Sequence, residues 1–285
     1  MIDLHVHTTE SDGSLTPEQI VVAAQEAGLE ALAIADHDTL AGYDRARTAA
    51  QRAGLDLVCA VEISTRFATS ASGRRRSAHL LGYFPAEPPG AEFRTWLREL
   101  QARRQQRNER LAQRLQELGL EVTLAEAAAL ARRLTGRVHF ARVLLQKGYV
   151  NSVAEAFRTY LGETGKAYTP LEKASLEEAI ERVREAGGIP SLAHPGRMSW
   201  DVCEVLGELR AAGLMGIEAY SGEHTPAQTA MYLELARAHD LLVTGGSDFH
   251  GDGKPAVRLG TGLNGNVCVP RWVLDELRAA ASPCR

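Results

Sequence analysis

The sequence predicts an α/β fold in which parallel strands form a barrel-like sheet interrupted by a helical insertion. Three observations predict it. Seven short apolar runs alternate with amphipathic helical patterns over both ends of the chain, which is the rhythm of a parallel sheet covered by helices. The stretch 91–168 breaks that rhythm and carries helical patterns only. His, Asp and Glu stand at the ends of most of the apolar runs rather than scattered among the helices. The 285 residues, 45% of them hydrophobic, suffice for one large core, or for one core plus a small appended domain.

The apolar runs fall at 2–6, 31–35, 57–63, 79–84, 189–193, 216–219 and 241–244. The helix after the first run is well signalled: Thr16 supplies a capping hydroxyl, Pro17 opens the first turn, Glu18 follows, and Gly28 ends it. The insertion begins with a long Arg/Gln-rich pattern at 92–118, with Leu97, Leu100, Leu111, Leu115 and Leu118 on one stripe. Shorter patterns at 124–133, 140–147 and 153–161 follow, separated by glycines. The expected organisation is a barrel formed by 1–90 and 169–285 and an insertion of 91–168 between strands four and five. The segment ATSASGRRR at 68–76 reads as a connecting loop.

Composition excludes some classes. A net charge of -4 and a pI near 6.2 do not describe a nucleic-acid coat protein or a membrane-surface binder. Only four of the 32 basic residues are lysines (Lys147, Lys166, Lys173, Lys254), so 28 are arginines. Genomic base composition explains most of that bias, yet arginine also forks onto phosphate oxygens bidentately. Cys59, Cys203, Cys268 and Cys284 form no CxxC pair and no even framework, as expected of reduced thiols. The opening MIDLHVH is strand-like and carries no secretory signal, and no apolar run is long enough to span a bilayer, so a cytoplasmic protein is expected.

The chemistry lies in the run ends. His5 and His7, two apart on the first strand, point to the same face. Asp12 follows in a Ser-Asp-Gly turn, where an isolated Asp would read as a turn residue. Asp36, His37 and Asp38 follow the second strand directly, at the mouth where parallel barrels place active sites. Glu62 lies in the apolar run VCAVEIS, where an unpaired acid costs several kcal/mol, roughly, unless paired or metal-bound. His79 lies in SAHLLGYF, His194 ends the fifth strand, and Asp248 and His250 repeat the two-residue step after the seventh. One such residue means little. His5, His7, Asp12, His37, Glu62, His79, His194, Asp248 and His250 together read as metal ligands. Mixed imidazole and carboxylate donors suit Mn, Zn or Fe, and so many donors imply two or three ions sharing a carboxylate.

The segments DLHVHTTESDGSLTPEQ, AIADHDTL, AVEIS, HLLGY, AHPGR and GSDFH resemble, in order, the polymerase-and-histidinol-phosphatase (PHP) family over nearly the whole chain. The resemblance implies a distorted (β/α)7 TIM-like barrel, a trinuclear site, and an insertion that caps the C-terminal mouth. It implies one ion on His5, His7, Glu62 and Asp248, a second on Glu62, His79 and His194, and a third on Asp12, His37 and His250. Within the family the chain is similar to the 3',5'-nucleoside bisphosphate phosphatases that also act as 5'→3' exoribonucleases. On that likeness Arg104, Arg107, Arg137, His139, Arg197 and His224 are expected at the substrate. Arg104 and Arg107, three residues apart on a helix, share a face; as isolated residues each would read as solvated surface.

The expected activity is hydrolysis of a phosphate monoester, foremost the 3'-phosphate of a nucleoside 3',5'-bisphosphate or short 5'-phosphorylated RNA. The water would be activated by bound metal, Mn²⁺ first, with Zn²⁺ or Fe²⁺ as alternatives, at two to three ions per chain. His194 and Asp248 would act through those ions, and Asp36 would orient a ligand or handle a proton. The expected partner is a small phosphorylated molecule, without a membrane or a stable DNA or RNA complex. A histidinol-phosphate phosphatase would share the metal site. A C–N hydrolase also opens with HxH, but usually places a bridging lysine on a strand, and none of the four lysines here ends a strand before the insertion. A non-catalytic RNA-binding module is disfavoured by the intact donor set and by the lack of a basic surplus.

Overall fold

The computed structural model describes residues 1–68, 75–131, 134–198 and 201–281. The chain divides into two compact units, residues 1–96 with 174 onward, and residues 97–173. The expected bounds of the insertion were 91 and 168.

The first unit begins β1 (Ile2–Val6), α1 (Pro17–Glu26), β2 (Ala31–Ile34), α2 (Ala41–Ala53), β3 (Asp56–Ala68) and β4 (Arg75–Phe84). Helix α3 (Ala91–Glu117) carries the chain into the second unit, which continues with α4 (Leu124–Leu130), α5 (Arg137–Gln146), α6 (Val153–Ala156) and a π turn at Phe157–Leu161. The first unit resumes with β5 (Ala174–Ser175), α7 (Leu176–Glu185), β6 (Ile189–Leu192), α8 (Leu206–Ala211), β7 (Gly216–Ser221) and α9 (Pro226–Ala238). It ends with β8 (Leu242–Gly246), β9 (Val257–Arg258), β10 (Gly262–Leu263) and α10 (Arg271–Ala281). Among the described residues no helix is long and apolar enough to cross a membrane.

The strands form a nearly closed, barrel-like sheet in the order β1-β2-β3-β4-β6-β7-β8, with the short β5 added beside β3. β1 and β8 meet where His7 N–H donates to the Phe249 carbonyl and Asp248 N–H to the His5 carbonyl, both at 2.9 Å. Gly246 permits this approach, because a Cβ there would lie 2.3 Å from the His5 nitrogen. One strand departs from the parallel reading: β4 runs antiparallel to both β3 and β6. A parallel return needs a crossover of a dozen or more residues, and the short connection between β3 and β4 has no room for one. That connection, expected as a loop at 68–76, lies outside the described residues from 69 to 74, while Ala68 and Arg76 belong to the strands.

Local signals explain the helices that cover the sheet. In α1 the Thr16 hydroxyl accepts from Gln19 N–H at 3.2 Å, and the Gln19 side chain accepts from Thr16 N–H at 2.8 Å. Gly28 takes φ +70° just past its end. Ile20, Val21 and Ala24 of α1 pack with Ala46 and Ala50 of α2 and with Leu32 and Ile34 of β2. Within the sheet, Tyr83 O–H donates to the Leu4 carbonyl at 2.9 Å, and Ser191 and Thr244 hydroxyls pair at 2.8 Å, so these buried polar atoms are satisfied.

The second unit has its own core of Leu111, Leu115, Val122, Phe140, Leu144 and Leu161. Full burial of a leucine such as Leu115 contributes roughly 1.5–3 kcal/mol. The leucine stripe stops short of its expected end. Leu118 is exposed, because α3 ends at Glu117 and Gly119 turns the chain at φ +78°. In the expected helix 124–133, residues 132 and 133 lie outside the described residues.

Candidate metal centre

All nine expected donors lie in the first unit, and the ends of its strands bring them together around Glu62. Alternation along β1 turns His5 and His7 to the same side, where their Nε2 atoms lie 3.1 Å apart. Oε2 of Glu62 is 3.3 Å from His5 Nε2, 3.0 Å from His7 Nε2 and 3.2 Å from His37 Nδ1. Its Oε1 is 2.7 Å from His79 Nδ1 and 2.8 Å from His194 Nε2. Asp248 Oδ1 lies 3.4 Å from His7 Nε2. Asp12 faces His250 Nε2 at 3.3 Å and His37 Nε2 at 3.8 Å.

Three groups have ligand atoms that all lie within 4.8 Å of one another: His7 with Asp12, His37 and His250; His5 with His7, Glu62 and Asp248; and His37 with Glu62 and His79. The second group has the membership expected from the resemblance. The first adds His7 to the expected set. The third has His37 where His194 was expected, although His194 also contacts Glu62.

Partners outside the cluster decide which nitrogen each ring presents. Glu218 Oε1 lies 2.8 Å from His5 Nδ1, and a carboxylate only accepts, so the proton is on Nδ1 and Nε2 faces Glu62. The Ser11 hydroxyl donates to Asp36 Oδ1 at 2.6 Å and is therefore left to accept from His7 Nδ1 at 3.4 Å. His250 Nδ1 donates to the Asp248 carbonyl at 2.8 Å, which turns its Nε2 to Asp12.

Charge follows from this crowding. Burial pushes the Glu62 carboxyl up, but His37, His79, His5 and His194 outweigh it and hold Glu62 well below the usual carboxylate range. Asp12 and Asp248 are treated alike, raised by burial and lowered further by His250 and its neighbours. Burial pushes His79 down to about 3, against the pull of Glu62. Burial also opposes charge on His7, but Asp248 and Glu62 outweigh it and raise His7 to about 9. The backbone is strained here as well: Asp38, His194 and Asp248 take positive φ values of 53°, 26° and 57°, three of the five such non-glycine residues among those described.

The donor set fits divalent ions. Four buried donors, the Nε2 atoms of His5 and His7 with Glu62 Oε2 and Asp248 Oδ1, converge without an intervening apolar group. Nδ1 of His194 is buried with no hydrogen-bond partner among the described residues. Imidazole and carboxylate in this mixture suit Mn, Fe or Zn.

The other expected site residues are placed as follows. Asp36 is fully buried, and its carboxylate accepts from Thr8 N–H, the Thr8 hydroxyl and the Ser11 hydroxyl at 2.6–2.7 Å. It fixes the turn after β1, and it is linked to His7 through Ser11 and through the charge of the His7 ring. His224 uses both ring nitrogens, donating from Nδ1 to the Ala219 carbonyl at 3.0 Å and accepting Gly196 N–H at Nε2 at 3.1 Å. It therefore holds the turn after His194. Arg197 is exposed, 2.8 Å from Glu223 and 3.4 Å from Asp248 Oδ2.

In the second unit, Arg107 of α3 is only 5% exposed, and its Nε has no hydrogen-bond partner among the described residues. Burial, then the charges of Arg104 and Arg137, push it down to about 9. Arg137 also donates to the Leu161 carbonyl at 3.1 Å. His139 is buried, with Nδ1 accepting Gly136 N–H at 2.9 Å at the start of α5, which commits that nitrogen to capping.

Sequence reasoning missed four residues at the first unit's site. Glu218, at 0% exposure, lies in the apolar run GIEAYS and carries the same signal that singled out Glu62. Asp3 is equally buried and ties β1 to Ser247 and Gly260, accepting from both backbone N–H groups. Lys254 bonds Asp248 Oδ2 and lies 3.1 Å from Glu223, which also holds Arg197. The loop positions of Lys254 and Glu223 carry no local signal.

Comparison with known proteins agrees with this geometry. A PHP domain matches residues 3–186. A 5'-3' exoribonuclease of Haemophilus influenzae is 36% identical over 253 residues, covering 87% of this chain and 89% of that protein. A 3',5'-nucleoside bisphosphate phosphatase of Chromobacterium violaceum is 33% identical over 285 residues, covering 97% of each. A crystal structure of a Bifidobacterium adolescentis protein assigned to the metal-dependent phosphoesterases superposes with a TM-score of 0.82 at 33% identity, covering 99% of this chain and 96% of that one.

Proposed function

Because the chain belongs to the PHP family of metal-dependent phosphoesterases, we propose that it hydrolyses a phosphate monoester in a substrate bearing more than one phosphate. The favoured substrate is a nucleoside 3',5'-bisphosphate; the related alternative is short 5'-phosphorylated RNA, in which water would cut the first phosphodiester and release a nucleoside 5'-monophosphate. The observation that carries the reading is the convergence of imidazole and carboxylate donors on Glu62.

Two or three divalent ions, Mn²⁺ first, would be held by His5, His7, Glu62 and Asp248, by Glu62 with His79 and His194 or His37, and by Asp12, His37 and His250. A bound ion of this kind supplies Lewis acidity and makes water nucleophilic at neutral pH. The chain's own groups do the rest. Arg197 and Lys254, both beside Asp248, offer cationic donors to nonbridging phosphoryl oxygens as charge moves to the leaving group. Asp36 keeps the turn carrying Asp12 in place through Thr8 and Ser11, a positioning role rather than proton transfer.

In the second unit, the cationic cluster of Arg104, Arg107 and Arg137 favours a substrate with more than one phosphate. A buried arginine crowded by two others suits an anionic ligand. Two relatives of different named activity share this family, so the substrate is the part to test. Phosphate release should be compared across a nucleoside 3',5'-bisphosphate, the matching mononucleotide, histidinol phosphate and an aryl phosphate, and mononucleotide release measured from a short 5'-phosphorylated RNA, each with Mn²⁺. The bisphosphate should show the highest kcat/KM. An equal or higher value for histidinol phosphate or the mononucleotide would overturn the two-phosphate reading.

A further inference from the structure

Glu218 of β7 is fully buried, stands outside the nine donors, and spends its two oxygens on two of them. Oε1 lies 2.8 Å from His5 Nδ1, and Oε2 accepts the His194 N–H at 2.6 Å. The opposite nitrogen of each ring faces Glu62, His5 Nε2 at 3.3 Å and His194 Nε2 at 2.8 Å. His194 holds φ 26° and ψ 62°, a conformation that an L-residue adopts at a cost and that persists only when its surroundings enforce it.

We propose that Glu218 is a positioning residue of the metal centre: it fixes His5 as the Nδ1–H form, with the Nε2 lone pair toward Glu62 and Asp248, and pins the left-handed turn that aims His194 at Glu62. The inference rests on the reading that the cluster holds divalent ions. A ligating histidine whose other N–H is given to a carboxylate is fixed in ring orientation and made more basic, and loss of such a partner typically weakens metal binding by about 10–100-fold. Here one carboxylate serves ligands from two strands, β1 and the end of β6, so both depend on the same side chain.

Glu218→Gln separates this role from simple core packing, because it keeps size and burial. The His194 N–H still needs an acceptor, so the amide oxygen goes there. The amide NH2 then faces His5 Nδ1, and two donors cannot face each other. His5 must move its proton to Nε2, the nitrogen that an ion requires, while His194 stays held.

The test uses Zn²⁺, which is diamagnetic, with chelator competition and histidine ¹H–¹⁵N NMR on the full chain. Wild type should show a slowly exchanging His5 Nδ1–H signal. Glu218→Gln should lose that signal, weaken one Zn²⁺ by about 10–100-fold, and leave the remaining Zn²⁺ near wild-type affinity. A variant that keeps the Nδ1–H signal and binds every Zn²⁺ within about threefold of wild type overturns the proposal. If the variant does not fold, the Zn²⁺-loaded wild type decides alone, because a proton on His5 Nε2 overturns the proposal and one on Nδ1 supports it. No phosphoester enters the test. A chain that passes it yet hydrolyses none of the substrates above fails the functional reading only, and a wild type that binds no Zn²⁺ overturns both.

Discussion

Replacing Arg107 by methionine should stabilise the protein while removing an anion site. An arginine in water stays charged beyond about pH 12. Burial, Arg104 and Arg137 bring Arg107 down to about 9. Each tenfold change in proton affinity corresponds to about 1.4 kcal/mol, so its charge is disfavoured by something on the order of 4 kcal/mol in the absence of a ligand. Methionine keeps most of the volume and removes the charge. It also loses packing of the longer side chain, so the expected net gain is smaller, about 1–3 kcal/mol. The assay is urea unfolding at pH 7 of chelator-treated protein in phosphate-free buffer, with amide exchange reporting on α3. Pyrophosphate should then stabilise wild type, by about 2.7 kcal/mol at a hundredfold excess over Kd, and should do little for Arg107→Met. A variant less stable than wild type without anion, or an equal response of the two to pyrophosphate, would refute the reasoning and make Arg107 a structural arginine.

Two further outcomes follow from the first unit. In Gly42→Ala the new Cβ would lie 2.0 Å from Asp36 Oδ2 and 3.0 Å from the Thr8 hydroxyl, so stability should fall by about 1–3 kcal/mol and kcat with it; wild-type values in unfolding and phosphate-release assays would show that the turn yields freely. In metal-free protein, His7 is raised to about 9, so its stabilising charge is fully present below about pH 6.5 and is lost as pH rises through 9. Metal must displace that proton, so Mn²⁺ affinity should rise over the same window while metal-free stability falls. A Mn²⁺ affinity independent of pH between about 6.5 and 9 would contradict the charge state assigned to His7.

Much of the first unit was legible because its signals are local. His, Asp and Glu are costly on apolar strands, so His5, His7, Glu62 and Asp248 stood out by residue type and step alone. Glu218 and Asp3 carry that same cost and were passed over, although Asp3 stands two residues before His5 as Asp248 does before His250. The antiparallel course of β4 was not legible, since a hydrophobic run has no direction; only the length of its connection to β3 bears on it. The hydrogen bonds of Asp36 and His224 were not legible for a related reason. A polar residue at a barrel mouth looks alike whether its atoms are free or spent on Thr8, Ser11, Ala219 and Gly196. Arg107 was expected at the substrate from the family likeness, but its burial has no local signal in the sequence.

The central claim is that Glu62 gathers a multinuclear metal centre, and equilibrium binding of Mn²⁺ followed by elemental analysis tests it most directly. Wild type should retain two to three ions per chain, by the rule that so many convergent donors exceed one ion's needs. Glu62→Gln should retain fewer, because both carboxylate oxygens face imidazole nitrogens of several strands. One ion or none in wild type, or an unchanged count in Glu62→Gln, would contradict the account.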